Sequence, residues 1–300
     1  MLSKKKISGF DLFIYVVLTI LTLILAYPLY FVVIASFSEP YEVVKGNVFF
    51  WFRGFSLESY KNIFENSKIW VGYANTIKYT FFGTCLNLLL TIPAAYALSK
   101  PWLWKRGLLT TFFIIPMYFS GGLLPTYLQV RDMGLLNKSY TLIILSGLSI
   151  YNLVVARTYF QTSIPDSLYE AAEIDGCSQF GQFFRIALPL SKPIVSVITL
   201  YYAVARWNDY YNSLVYVSSS KYHSLQMVLR NILLESQNAI NNLDMSSLTT
   251  EQMMSAAQKT YLAESMKYAV IFVASLPMLI LYPFIQKYFV KGVMIGAVKG

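Results

Sequence analysis

Long uncharged stretches recur along this 300-residue chain, separated by short clusters of charge. Residues 12–38 run for 27 positions without a charged side chain, and 79–99, 107–130, 139–156 and 268–286 give 21, 24, 18 and 19 more. About 20 residues of α-helix, at about 1.5 Å each, cross roughly 30 Å of hydrocarbon, so each stretch predicts a spanning helix. A sixth window, about 193–217, is interrupted by Arg206 and Asp209. Backbone polar groups in lipid must be satisfied internally, which favours helices throughout. The pattern predicts an all-α membrane protein with six spans, at about 12–38, 73–99, 107–130, 139–160, 193–217 and 266–287. Around and within this 12–290 domain lie an N-terminus (1–11), a loop at 161–192, a long polar loop at 218–265 and a tail (288–300). In the long loop, 238–242 and 246–250 read as turns and 251–264 as a short helix; it serves either a partner or gate, or only as a connector. Pro28, Pro93, Pro116, Pro125, Pro277 and Pro283 interrupt the spans, and Gly121-Gly122 loosens the third. Such breaks either line a cavity or are ordinary kinks.

Composition agrees with a bilayer protein: 56% of residues are hydrophobic and only 13% charged, about half the usual charged share. Lys4, Lys5 and Lys6 precede an apolar run too long for a signal peptide and without a small-residue cleavage site, so it reads as a retained first span. Six spans put both termini on one side, with Lys100, Lys105, Arg106, Arg185, Lys192, Lys287, Lys291 and Lys299. The opposite loops are longer, and their lysines and arginines are matched by acids. The positive-inside rule makes the termini cytoplasmic and the protein a multi-pass protein of the cell membrane. The net charge of +9 is largely this bias, so no nucleic-acid partner is implied. Cys85 and Cys177 fall in different compartments of the topology and predict no disulfide. The single histidine, His223, has no companion ligands and reads as a surface residue, so no metal site is expected.

The loop at 161–192 is too structured to be a connector. Ser163 reads as an N-cap, with Pro165 in the first turn and Asp166 three residues on. Ala171 and Ala172 give a helix face of little bulk, and Gly176 ends the helix at a position suited to positive φ. Ser178 can cap a second helix, on which Phe180, Phe183, Phe184, Ala187 and Leu188 form one apolar stripe before Pro189 and Pro193 stop it. An interfacial helix lying on lipid would suit the phenylalanines. Glu170, Glu173 and Asp175 oppose that, because an anionic leaflet repels them, and they suit a basic groove on a protein.

Glu170-Ala171-Ala172, three residues, Gly176, nine residues, Ile186, one residue, Leu188-Pro189 matches the EAA-loop signature of binding-protein-dependent ABC importer permeases, which this chain resembles. Ser120-Gly121-Gly122-Leu123-Leu124-Pro125, Trp207-Asn208-Asp209-Tyr210-Tyr211 and the ending Gly292 to Gly300 look like the maltose-type (MalG-like) carbohydrate branch, within it the oligosaccharide subgroup. The resemblance implies a type I ABC importer permease fold whose cytoplasmic coupling helix enters a groove of an ATPase subunit. Glu170 and Asp175 would face basic groups there, Ala171 and Ala172 would pack closely, and Gly176 would set the turn. The stripe of Phe180, Phe183 and Phe184 would hold the second helix to the permease, and Ile186, Leu188 and Pro189 would belong to the ATPase-coupling segment. The tail with Lys299 and Gly300 would reach between two ABC ATPase subunits. A second homologous permease subunit, an external solute-binding protein and a carbohydrate would complete the system. ATP and Mg would belong to the ATPases: the chain has no Gly-x-x-x-x-Gly-Lys-Ser/Thr loop, so it needs no cofactor and is no enzyme.

Arg206 lies about 20 Å from the cytoplasmic end of its span. With Asp209 at i, i+3 it can pair on one helix face, and Trp207, Asn208 and Tyr210 surround the pair. Ionisable groups at membrane depth face a bundle interior or a water path, so these residues, with Asn152 of the fourth span, are candidates for the substrate path. A structural ion pair near the outer interface is the alternative. The competing functions are an ABC permease for another solute, an ion-coupled secondary transporter and a membrane anchor. The secondary transporter predicts an internal repeat and mid-membrane carboxylates, of which only Asp209 is present.

Overall fold

The computed structural model describes residues 9–241 and 250–297; Lys4, Lys5, Lys6, Lys299, Gly300 and the expected turn at 246–249 lie outside them. Regular structure among the described residues is helical, apart from one isolated antiparallel bridge between Ser38 and Phe55. The chain runs through α1 (Gly9–Ser36), α2 (Pro40–Val44), α3 (Glu58–Glu65), α4 (Ser67–Ser99), α5 (Arg106–Tyr118) and α6 (Leu123–Asp132). It continues with α7 (Thr141–Ile144), α8 (Ile150–Thr162), α9 (Asp166–Ile174), α10 (Gln179–Gln182), a π-helical turn (Phe183–Ala187) and α11 (Leu188–Leu190). Then come α12 (Lys192–Trp207), α13 (Tyr211–Tyr216), α14 (Leu225–Asn241) and α15 (Thr250–Ala297). Three stretches, α1, α4 and Thr260–Ile280 of α15, are long and apolar enough to cross a membrane, or up to five if each bent pair is one span.

The bent pairs are where uncharged length misleads. The third window is not one rod: α5 and α6 meet at 113°. Gly122 sits between them at φ 87°, ψ 178°, a conformation essentially restricted to glycine. The fourth window holds only the single turn of α7, a break with Ser146 at φ 60°, and then α8. The fifth stops at Trp207 and resumes as α13, because Asn208-Asp209-Tyr210 leaves the helix. Pro28, Pro93, Pro116, Pro277 and Pro283 lie inside continuous helices instead of breaking them. Pro125 occupies the first turn of α6, where its missing N–H removes no helical bond. The long loop is also more helical than expected: α14 extends to Asn241 through the predicted turn, and α15 continues from Thr250 into the span without interruption. His223, expected at the surface, is buried, and its carbonyl accepts from Asn75 Nδ2 at 3.1 Å.

The chain forms two compact units. One comprises the residues up to Asn66 with Leu229–Leu276. Its core is Ile34, Ala35, Val43 and Val48, with Phe31 and Tyr268 against it. Tyr60 donates to Ser36 Oγ at 2.7 Å, and the hydroxyls of Ser59 and Ser265 meet at 2.8 Å, so the polar groups buried there are paired. The other unit comprises Ser67–Val228 with the residues from Pro277 onward. In it Ile92 and Ala95 of α4, Leu153 and Ala156 of α8 and Ile194 and Ile198 of α12 share a core with Tyr169 and Phe183 of the insert between α8 and α12. Ala95 and Ala156 are fully buried, and such small residues let membrane helices approach closely.

Candidate functional site

Two polar regions of the second unit carry the candidate chemistry. The first surrounds Arg206, in the last turn of α12. Its Nε donates to Asn87 Oδ1 at 3.2 Å, Nη1 to the carbonyl of Leu142 at 2.5 Å, and Nη2 to those of Ile143 at 3.0 Å and Ser146 at 3.2 Å. Asn87, on α4, donates to the carbonyls of Ser146 and Gly147 at 2.6 and 2.7 Å. Leu142 and Ile143 belong to α7, whose C-terminal carbonyls have no following turn to accept from. A guanidinium there meets the negative end of the helix and satisfies several carbonyls at once. Tyr202 completes the support: its hydroxyl accepts from Ser149 N–H at 3.0 Å and lies 2.6 Å from Thr91 Oγ1. Gly83 makes room, since a Cβ there would fall 2.9 Å from Arg206 Nε.

Asp209 does not pair with Arg206; among the described residues no salt bridge joins them. With α12 ending at Trp207, the three-residue spacing no longer puts both side chains on one helical face. Asp209 instead accepts from Asn212, from its backbone N–H at 3.0 Å and its Nδ2 at 2.6 Å. A cavity of about 490 Å³ is lined by Asn152, Arg206 and Asp209 together with Ser149, Tyr201, Tyr202 and Asn212. The other predicted path residues lie elsewhere. Trp207 is buried, 6.2 Å from the Tyr73 ring, and lines a separate apolar cleft. Asn208 is exposed and donates to Val204 O, and Tyr210 is exposed. Sequence reasoning missed Gly83, Asn87 and Ser146. Asn87 was findable: it is the one side-chain amide in the 79–99 window, and Gly83 lies four residues before it on the same helix face.

The second region is the insert between α8 and α12. α9 begins at Asp166 with Pro165 as its extended N-cap, while Ser163 closes α8. Proline disfavours helical backbone at the residue before it, which moves the entry two positions past the expected cap. Gly176 has φ 72°; its N–H reaches Glu173 O at 3.0 Å and that of Cys177 reaches Ala172 O at 2.8 Å, the paired bonds of a Schellman closure. Ser178 Oγ accepts from Gly181 N–H at 3.2 Å and caps α10. The phenylalanine stripe is corrected. Phe183 and Ala187 are buried, with Phe183 5.0 Å from the Tyr96 ring, but Phe180 and Phe184 are exposed. The π-turn widens the helix and shifts the register on which one continuous stripe depends. Ile186 and Leu188 pack on the core, and exposed Pro189 precedes the 78° bend into α12.

The outward face of α9 and α10 combines Glu170, Ala171, Glu173 and Asp175 with Ile174 at 87% and Phe180 at 79% exposure, while Ala172 is half-buried. Large apolar side chains this exposed stand here beside carboxylates, an apolar patch rimmed by charge. Cys85 and Cys177 are free thiols. Among the described residues no cluster of His, Cys, Asp and Glu has the geometry to hold a metal.

No family model matches the chain. It is 38% identical to Protein LplC of Bacillus subtilis over 273 residues, 91% of this chain and 89% of that one. It is 37% identical over 294 residues to the polygalacturonan/rhamnogalacturonan transport system permease protein YtcP of the same organism, 97% of this chain and 98% of the relative. The fold superposes with a TM-score of 0.80 on a chain of a bacterial ABC transporter involved in the import of the acidic polysaccharide alginate, at 31% identity, covering 93% of this chain and 96% of that one. With that identity along almost its whole length, an all-helical architecture and helices fit to cross a bilayer, this chain belongs to the permease subunits of carbohydrate ABC importers, multi-pass membrane components that do no catalysis themselves.

Proposed function

We propose that the chain is one half of the pore of an oligosaccharide importer, with six spans and both termini in the cytoplasm, and that Glu170 to Gly176 is its coupling helix. A second permease subunit forms the other half, two ABC ATPases supply the energy, and an external binding protein delivers the sugar. The observation that carries this is the outward face of α9 and α10, where Glu170 and Asp175 flank exposed Ile174 on a helix closed by Gly176 and exposed Phe180 follows on α10. Ala171, Ile186, Leu188 and Pro189 complete the docking segment, and Lys299 and Gly300 of the tail reach the same ATPases.

Asn152, Arg206 and Asp209 mark the substrate path through the polar cavity. Its charges do not select an anion, because four of the five Arg206 N–H donors are committed to carbonyls and Asn87, and the Asp209 carboxylate lines the same cavity as the guanidinium. Relatives named for polygalacturonan/rhamnogalacturonan and alginate make acidic oligosaccharides the first cargo to test, with the choice of charge assigned to the binding protein. The test of coupling is Gly176→Val. A β-branched residue at φ 72° is strained by about 1–3 kcal/mol and opens the Schellman closure. The variant is expected to stay in the membrane but to lose co-purifying ATPase subunits and uptake of oligogalacturonides. Full uptake by this variant would refute the assignment.

A further inference from the structure

Lys100 is buried directly beneath the coupling segment, although its place in the sequence marks it only as one of the cytoplasmic positive charges. It follows the last residue of α4, and its Nζ lies 2.8 Å from the centre of the Tyr169 ring and 5.0 Å from that of Tyr96. Tyr169 is the buried residue of α9, one position before Glu170. The Tyr96 ring also meets Phe160, Tyr169 and Phe183, at 5.6, 6.2 and 5.0 Å, so side chains of α8, α9 and the π-turn converge on the end of α4.

The charged groups around the ammonium are few. Asp166 of α9 attracts it without forming a salt bridge, and Cys177 lies beyond Tyr96. Arg157 Nε and Arg106 Nη1 donate to the carbonyls of Leu98 and Ser99 at 3.0 and 3.4 Å, so the open carbonyls of α4 are already served by other cations. Among the described residues the buried Tyr96 and Tyr169 hydroxyls have no hydrogen-bond partner, and Lys100 meets these two side chains at their ring faces. Burial lowers the Lys100 ammonium to about 8, against the opposing pull of Asp166, so it is charged at neutral pH and titrates just above it. Burial raises the Tyr169 phenol, which stays neutral over that range.

We infer that Lys100 is the positioning residue of the coupling helix: its ammonium, held on the faces of Tyr169 and Tyr96, clamps α9 to the end of α4. This rests on the assignment of α9 as the docking element. α4 also carries Asn87 and Gly83, so the helix clamped to α9 is the one that supports Arg206. A docked helix that is loose on α4 moves without moving the pore.

The clamp is tested in the complete transporter in lipid nanodiscs, by hydrogen exchange of the amides of 166–174. Lys100→Met, of similar length and no charge, is expected to speed exchange there about tenfold, the scale of a desolvated cation–π contact, and to leave α8 unchanged. Lys100→Arg is expected to restore protection. After correction for intrinsic exchange, the wild-type protein loses protection above about pH 8 and the arginine variant does not. Tyr169→Phe keeps the ring and is expected to behave as wild type, whereas Tyr169→Leu loosens α9, which keeps the test decisive if Lys100→Met fails to assemble. Wild-type exchange in Lys100→Met, or equal loosening by both Tyr169 variants, overturns the clamp. Co-purification of the ATPase subunits with a Glu170→Lys variant reports separately on docking: retained ATPases there refute the docking assignment while the exchange result still judges the clamp.

Discussion

The Arg206 cluster and the insert between α8 and α12 use polar residues in opposite ways. Around Arg206 the polar groups face one another: a guanidinium and an amide hold the carbonyls of a broken helix that lipid would leave unsatisfied. On the insert the backbone is closed by its own caps, and the charges and large apolar side chains point outward. An ionisable residue at membrane depth is therefore not a transport residue merely by its cost; here most of its bonds hold the frame. The acids Glu170 and Glu173 of α9 are exposed, and on the proposed assignment they are the groups offered to a partner.

The sharpest break of this comparison is Arg206→Leu. It strands the carbonyls of Leu142 and Ile143 and Asn87 Oδ1, while the Ser146 carbonyl keeps its bond from Asn87 Nδ2. At about 1–3 kcal/mol for each buried unpaired group, the loss is about 3 kcal/mol or more, a large share of the stability of a typical domain. Thermal unfolding of the purified permease should show it, with little protein left in the membrane. Gly83→Val is expected to act in the same direction by displacing the Arg206 side chain, which is pinned by its hydrogen bonds and cannot swing clear. Normal stability of both variants would mean that the cluster is not the frame.

Ile174→Asp comes next and should show the reverse profile. At 87% exposure the side chain contributes little to the fold, so unfolding should shift by no more than about 0.5 kcal/mol. ATPase association is expected to weaken by about 2 kcal/mol, the scale of an interface hot spot, read by titrating ATPase subunits onto the permease pair in detergent. Equal losses in stability and association would erase the contrast between the two regions.

How much of this was legible in the sequence follows the same division. The insert was readable residue by residue: Gly176 at positive φ and Ser178 as a cap depend on neighbours within four positions, and both are found. What failed there was periodicity across the π-turn, because counting Phe180, Phe183 and Phe184 onto one face assumes an unbroken α-helix. The cluster was less legible because its parts are distant in sequence. Arg206 and Asp209 looked like a local pair, yet the partners of Arg206 lie 60 or more positions away, on α4 and around the break after α7. Uncharged length likewise did not show that 139–160 is broken, since a break is tolerated only where other elements supply hydrogen bonds.

Asn152→Ala sharpens the role of the cavity. The side chain lines it beside Asp209, and removing one hydrogen-bonding group from a sugar path costs about 0.5–1.5 kcal/mol. Uptake of oligogalacturonides should then show a threefold to tenfold rise in half-saturation, about that energy, with the permease as stable as wild type. A stability loss instead would place Asn152 with the frame.

The smallest expected effect, from Asp209→Asn, discriminates most finely between the two descriptions of Arg206. If Arg206 and Asp209 were an ion pair, neutralising the acid would leave a buried guanidinium without its counter-charge, and breaking a buried pair costs about 3–5 kcal/mol. In the observed arrangement Asp209 serves Asn212: one carboxylate oxygen accepts from the backbone N–H, the other from the side-chain amide. Asparagine keeps an oxygen for the backbone N–H and is about as good a cap as aspartate, so the fold should lose at most about 0.5 kcal/mol. Asp209→Ala removes that acceptor and should cost about 1 kcal/mol, which confirms that the position is sensitive and that the small effect of asparagine is informative. Thermal unfolding of the three proteins in one detergent orders them. Wild type close to Asp209→Asn, with Asp209→Ala below both, assigns the acid to the cap. Asp209→Asn as damaged as Arg206→Leu would restore the ion pair, and with it the view that this charge is held for a partner across the helix and not for the chain's own backbone.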